Sequence, residues 1–186
     1  MSNYLIPLMV VVPMLCAILV NAFAKFNKSI KVLTFVVAIC LPIIPLLSNY
    51  GLHFFGGYTP MLDNATGVIY HPAITYAFDM LQQIFIVAVG LITFLVAFIY
   101  LSKYKKASGQ YLFLLFMGTA SVTALMLTDD IFNMFVFFEI LALVQVGIVI
   151  ASPMDYSYEM ALKYMILGSI GSPIMLLGIG FLLAST

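Results

Sequence analysis

The sequence predicts an all-α polytopic membrane protein with six transmembrane helices, and three observations carry that prediction. Of 186 residues 65% are hydrophobic and only 8% charged, too apolar a composition for a soluble domain. The apolar residues gather into six runs that approach or reach the length needed to cross a hydrocarbon core roughly 30 Å thick. The lysines collect in alternate connections between those runs, as membrane topology requires.

The first run, 4–24, ends in Ala22-Phe23-Ala24, which has the small-residue look of a signal-peptidase site. No positive charge precedes the run, and Lys25, Lys28 and Lys31 follow it, so a retained helix is expected. The second run, 32–48, is short and carries Pro42 and Pro45, which a membrane helix accepts where neighbours satisfy the freed carbonyls. The connection 49–80 is rich in aromatics: Tyr50, Phe54, Phe55, Tyr58, Tyr70, Tyr76 and Phe78. These rings are expected at headgroup level as an interfacial belt. Gly56-Gly57, Pro60 and Pro72 suggest turns, and a hairpin lying across the external face. His53 and His71 have no partner at metal-ligand spacing, and Asn64-Ala65-Thr66 is a glycosylation sequon of a kind that often arises by chance.

The third run, 81–101, is opened by Asp79; the fourth is 111–127; the fifth, 131–151, follows Asp129 and Asp130, acids placed at its positive dipole end. The sixth, 160–184, contains Gly168, Ser169, Gly171, Ser172 and Pro173, expected to permit close helix approach and a mild kink. Lysines occupy the first and third connections and are missing from the second and fourth, which places the first and third in the cytoplasm and both termini outside. The organisation expected is one membrane domain, 1–186: three N-terminal helices with the external loop 49–80 make up 1–110, and 111–186 holds three more helices.

Composition also excludes. Seven lysines balance seven acids with no arginine, which leaves no basic surface for nucleic acid. Cys16 and Cys40 lie inside apolar runs with no thiol or histidine at ligand spacing, so they read as small core residues. Nucleotide-binding loops and paired-cysteine motifs are absent; no cofactor, metal or catalytic centre is expected.

Glu139 stands out, an acid near the middle of the fifth run. A charge there costs roughly 2.5 to 3.5 kcal/mol, while the run's Leu, Ile, Phe and Val residues together return roughly 4 to 8 kcal/mol, so the helix inserts in spite of it. Such a carboxyl marks function and faces protein or water. Set between desolvation, which favours its neutral form, and a neighbouring cation, which favours its charged form, it can change protonation during a cycle. The nearest intramembrane charge in the chain is Lys163, early in the sixth run, with Glu159 four residues before it in the order that favours an ion pair. A short connection makes runs five and six an antiparallel hairpin, yet the two charges differ in depth by roughly 13 Å, too far for a direct bridge. That span suits water or a third residue as relay. Asn133 and Gln145 are each six positions from Glu139, rotated roughly 120° from it in opposite senses, and are expected to contact other helices.

Two stretches resemble a known family. Asp130-Ile-Phe-Asn-Met-Phe-Val-Phe-Phe-Glu139-Ile-Leu-Ala-Leu and Glu159-Met-Ala-Leu-Lys163-Tyr-Met-Ile-Leu-Gly-Ser-Ile-Gly-Ser172 are similar to the fifth and sixth helices of the antiporter-like membrane subunits. That family is shared by respiratory complex I, the Mrp sodium/proton antiporters and energy-converting membrane-bound hydrogenases; 76–100 is similar to its third helix. The resemblance implies that Glu139 and Lys163 lie on an ion path, with Glu159, Asn133 and Gln145 in support. It implies the N-terminal portion of the fold, ending within the first of two inverted five-helix repeats, so that a fragment or a split subunit is expected, with the remaining antiporter helices supplied by another segment or chain. The implied function is proton or sodium translocation within a redox-driven complex in the cell membrane, the lack of arginine and the brief third loop pointing to an archaeal energy-converting hydrogenase. A non-conducting structural subunit and an independent secondary transporter are the alternatives.

Overall fold

A computed structural model of the chain describes residues 5–23, 27–48, 52–55, 58–63, 67–72, 75–104, 108–151 and 156–185. In chain order these form α1 (Leu5–Ala22), α2 (Asn27–Leu46), β1 (Leu52–Phe55), β2 (Tyr58–Asp63), β3 (Gly67–Pro72), β4 (Thr75–Phe78), α3 (Met80–Lys103), α4 (Gly109–Leu127), α5 (Ile131–Ile150) and α6 (Ser157–Ser185). All six helices are long and apolar enough to span a membrane. α2 and α6 start earlier than their apolar runs, at Asn27 and Ser157, because hydropathy locates the hydrocarbon core while the helix continues into polar residues beyond it. Gly56-Gly57, the sequon at 64–66, Lys25, Lys105 and Lys106 lie outside the described residues.

α4 organises the bundle, packing against α1, α3 and α5, while α2 packs against α1 and α3, and α6 lies on α5. Lipid is as apolar as leucine, so close fit and internal hydrogen bonds hold such helices together. Close fit is evident where α2 crosses α3: a Cβ on Gly90 would stand 2.8 Å from the backbone nitrogen of Pro42. The hydrogen bonds sit at the same seams. Gln83 Nε2 donates to the Pro45 carbonyl at 2.7 Å, and the buried hydroxyls of Thr93 and Thr119 meet at 2.9 Å between α3 and α4. Lys31 Nζ donates to the carbonyls of Leu101 and Tyr104, at 3.4 and 3.1 Å, and so closes the C-terminal end of α3.

Apolar side chains fill two clusters, one at each end of the bundle. Cys16, Val20, Ile30, Leu112 and Phe116 belong to the first, and Ile6, Met9, Phe78, Ile86 and Leu127 to the second. Cys16 is a core residue as expected, whereas Cys40 is exposed on the outer side of α2, where its apolar thiol is compatible with lipid.

The connection between α2 and α3 is a long antiparallel hairpin. β1 pairs with β4, Leu52 opposite Phe78, and β2 pairs with β3, Tyr58 opposite Pro72 and Asp63 opposite Gly67. Pro60, expected at a turn, instead stands opposite Tyr70 within a strand. A two-stranded ribbon has only edge strands, and there a residue without an N–H is tolerated. Two aromatics also depart from the expected interfacial belt: Phe78 is fully buried and Tyr76 half-buried, because β4 runs inward to the start of α3. The ribbon is sewn to the α4–α5 turn by a bridge between Tyr76 and Thr128 and a hydrogen bond from the Asp129 amide to the Thr75 carbonyl, 3.0 Å. α3 then starts at Asp79, whose amide donates to Gln82 Oε1 at 3.1 Å.

The α2–α3 contact yields a direct test. Gly90→Ala gains up to about 1 kcal/mol of helix propensity but drives a methyl into backbone, a strain of about 1 to 3 kcal/mol. A net fall in the thermal midpoint of the purified protein is expected; an unchanged or raised midpoint contradicts the contact.

Candidate functional site

α5 carries the candidate residues, and its start is fixed locally. The Asp130 carboxylate accepts from the amides of Phe132 at 3.2 Å and Asn133 at 3.3 Å, satisfying two donors that a helix N-terminus leaves open. Asn133 was expected to reach another helix; instead its Nδ2 donates to Thr128 Oγ1 at 2.9 Å and to the Tyr76 hydroxyl at 3.5 Å. It ties α5 to the turn and to β4. Its polar end meets polar partners at the bundle's edge.

Two stripes of α5 are covered. Phe137, Val144 and Gly147 lie on one: Phe137 packs on the core, Val144 approaches Gly118 and Gly147 approaches Leu114, all toward the inner helices. The other comprises Phe135, Glu139, Ala142, Val146 and Val149, each half-buried, at spacings of four, three, four and three residues. At about 100° per residue this second stripe lies about 180° around the helix from the first. It faces α6, the other helix packed against α5. Glu139 therefore sits mid-helix on the α5–α6 seam, and among the described residues its carboxylate has neither hydrogen bond nor ion-pair partner.

Lys163 occupies a different side. Ala161 is 2% exposed and marks the face of α6 turned to α5; Lys163, two residues on, is rotated about 200° from it. Its side chain is 62% exposed and its Nζ lies 2.6 Å from Glu159 Oε1. The ion pair with Glu159 forms as the i,i+4 spacing predicts. The two charged candidates are thus on neighbouring helices without sharing a surface.

Gln145 is exposed and lines a cleft of about 280 Å³ between α3, α4 and α5, together with Thr93, Gly118 and Thr119. Among the described residues it makes no hydrogen bond, so its contact with other helices is by apposition. The threonine pair beside it escaped the sequence reading, since isolated threonines in an apolar run give no signal until α3 and α4 are seen side by side. Among the described residues no three His, Cys, Asp or Glu come together to hold a metal ion.

Gly168, Gly171, Gly178 and Gly180 would each accept a Cβ with nothing within 4 Å, so the close approach expected of these small residues finds no partner among the described residues. Only 11% of the apolar span of α5 and 6% of that of α6 are buried, against 44% for α4. Both helices leave wide apolar faces for lipid or further protein. From this geometry Glu139→Gln should change unfolding stability, followed by thermal denaturation, by less than about 0.5 kcal/mol, whereas Asp130→Ala should cost about 1 kcal/mol. The reverse order would mean that Glu139 has a structural partner.

No protein-family model matches the chain. It is 40% identical over 184 residues to an uncharacterised protein of Methanocaldococcus jannaschii, MJ1309, covering 99% of this chain and 37% of that one. It is 22% identical over 184 residues to an Na(+)/H(+) antiporter subunit of Alkalihalophilus pseudofirmus, with the same coverage, 99% and 37%. Among solved structures, a chain of the membrane-bound sulfane sulfur reductase, an archaeal respiratory membrane complex, superposes with a TM-score of 0.79 at 23% identity, over 100% of this chain and 38% of its own. The chain spans little more than a third of the length of these relatives. Six apolar helices in this arrangement share the fold of the superposed reductase chain, and along almost its whole length the sequence is similar to the antiporter-like membrane subunits.

Proposed function

We propose that the chain forms part of an ion-translocating membrane subunit, in which Glu139 takes up and releases the proton that drives or accompanies ion movement. The observation that carries this reading is the mid-span carboxyl on the α5–α6 seam with no partner among the described residues. A group kept in apolar surroundings without a structural partner is retained for chemistry. Translocation of protons or sodium is the activity that the antiporter relatives suggest, and the respiratory complex holding the superposed chain supports assembly with other membrane subunits in a redox-driven machine.

Lys163 and Glu159 form the second station in this reading. Because Lys163 projects away from the α5–α6 seam, the path between the stations passes around α6, through water or polar groups of helices packed on its outer side. Gln145 and the Thr93–Thr119 pair supply further polar atoms on the opposite flank. Residues 1–110 act as the supporting half, and 111–186 as the start of the conducting repeat. The lysines of the first and third connections favour a cytoplasmic position for the end of the bundle carrying Lys31 and Lys103, with both termini external. A non-conducting structural role is the second reading, favoured by one observation: Lys163 is already paired with Glu159 and largely exposed.

Reconstitution of the assembled protein in liposomes separates the two. Glu139→Gln should lower coupled ion movement on the order of a hundredfold, the usual scale for losing a positioned proton carrier. Lys163→Met should lower it similarly, Lys163→Arg less, and Glu159→Gln only modestly. Wild-type transport by both Glu139→Gln and Lys163→Met would establish the structural role instead.

A further inference from the structure

At the lysine-bearing end of the bundle, α3, α4 and α5 leave a cleft of about 640 Å³ between the last turns of α3 and α5 and the first turn of α4. Its volume is in the range of small-molecule sites. Its lining is graded. Lys103, Tyr104 and Gln110 form a polar rim, and Val96, Ile99 and Ile148 form an apolar wall below it. Val96 lies seven residues before Lys103, about 10 Å deeper along the helix, so the gradient runs along the membrane normal. One side is rigid: the Tyr100 ring packs at 4.4 Å on Tyr111 and at 4.9 Å on Tyr104, and the Tyr100 hydroxyl accepts from the Ser108 amide at 2.9 Å.

The charge of this cleft is one-sided. Among the described residues Lys103 has no carboxylate partner; its Nζ stands 5.8 Å from the centre of the Tyr104 ring and is otherwise open. Lys31, bound to the carbonyls of Leu101 and Tyr104, adds a second positive charge beside the rim. The α4 N-terminus adds its positive dipole end. In sequence six of the seven lysines, and no acid, fall in or beside the α1–α2 and α3–α4 connections, so the formal neutrality of the chain conceals a polarised one.

We propose that this cleft is a binding site for one anionic phospholipid, its phosphate at the Lys103, Tyr104 and Gln110 rim and one acyl chain along Val96, Ile99 and Ile148. Charge complementarity selects this occupant over a zwitterionic lipid, since a positive field without countercharge favours a net-negative headgroup by an amount that each lysine near the surface contributes. The apolar wall selects it over a free anion, which would leave that surface uncovered. The proposal is independent of ion conduction, because none of these residues belongs to the Glu139 or Lys163 stations.

Native mass spectrometry of the assembled protein tests it, with phosphatidylglycerol and phosphatidylcholine of identical acyl chains as probes. Wild type should retain phosphatidylglycerol in preference. Lys103→Gln should reduce that retention about fivefold and leave phosphatidylcholine unaffected, and Lys103→Arg should keep it. Ile148→Trp, which fills the acyl slot, should reduce both lipids, with assembly confirmed by unchanged elution. Equal retention of the two lipids by wild type, or full retention by Lys103→Gln, would overturn the proposal. Displacement of phosphatidylglycerol by millimolar inorganic phosphate would overturn it in favour of a free-anion site. A cross-link from a cysteine at position 148 to a neighbouring subunit would overturn it in favour of a protein occupant.

Discussion

A polar group surrounded by hydrocarbon costs several kcal/mol unless a partner answers it, and the helices are arranged around that constraint. Thr93 and Thr119 answer each other; Gln83 answers the Pro45 carbonyl of α2. Lys31 answers the open carbonyls at the end of α3, and Asn133 answers Thr128 where α5 begins. These contacts pin α2 to α3, α3 to α4 and α5 to the ribbon, so polar satisfaction and helix order are one arrangement. Among the described residues the buried Thr34 hydroxyl and the exposed Gln145 amide are also unanswered, but Glu139 is the unanswered carboxyl, and an acid left so at the middle of a span is where function is to be sought.

Much of this was legible in the sequence. Six apolar runs, the lysine asymmetry and a lone mid-span acid are properties of composition along a line, and they survive folding unchanged. The Glu159–Lys163 pair was legible too, because i,i+4 spacing alone sets its geometry. Properties that depend on neighbours were not. Pro60 reads as a turn until it is seen opposite Tyr70 on a ribbon edge, and Phe78 reads as an interfacial ring until β4 is seen to run into the core. Lys31 serves as a topology signal in the sequence and as a helix cap in the fold.

The relation between Glu139 and Lys163 shows the same division. Their helices were expected to be adjacent, and α5 and α6 do pack together. Their depths argued against a direct bridge, and Lys163 pairs with Glu159 instead. Rotation about α6 was not legible, because an almost uniformly apolar helix has no amphipathic signal to say which side meets α5. That rotation turns Lys163 outward, away from the face of α6 that Ala161 turns to α5.

The central claim is that the Glu139 carboxyl itself changes protonation when ions move. Infrared difference spectroscopy of the assembled protein in liposomes, recorded on imposing a proton gradient, tests it most directly. The account predicts a carboxylic-acid band that shifts in heavy water and disappears in Glu139→Gln. An identical difference spectrum in wild type and variant would contradict it.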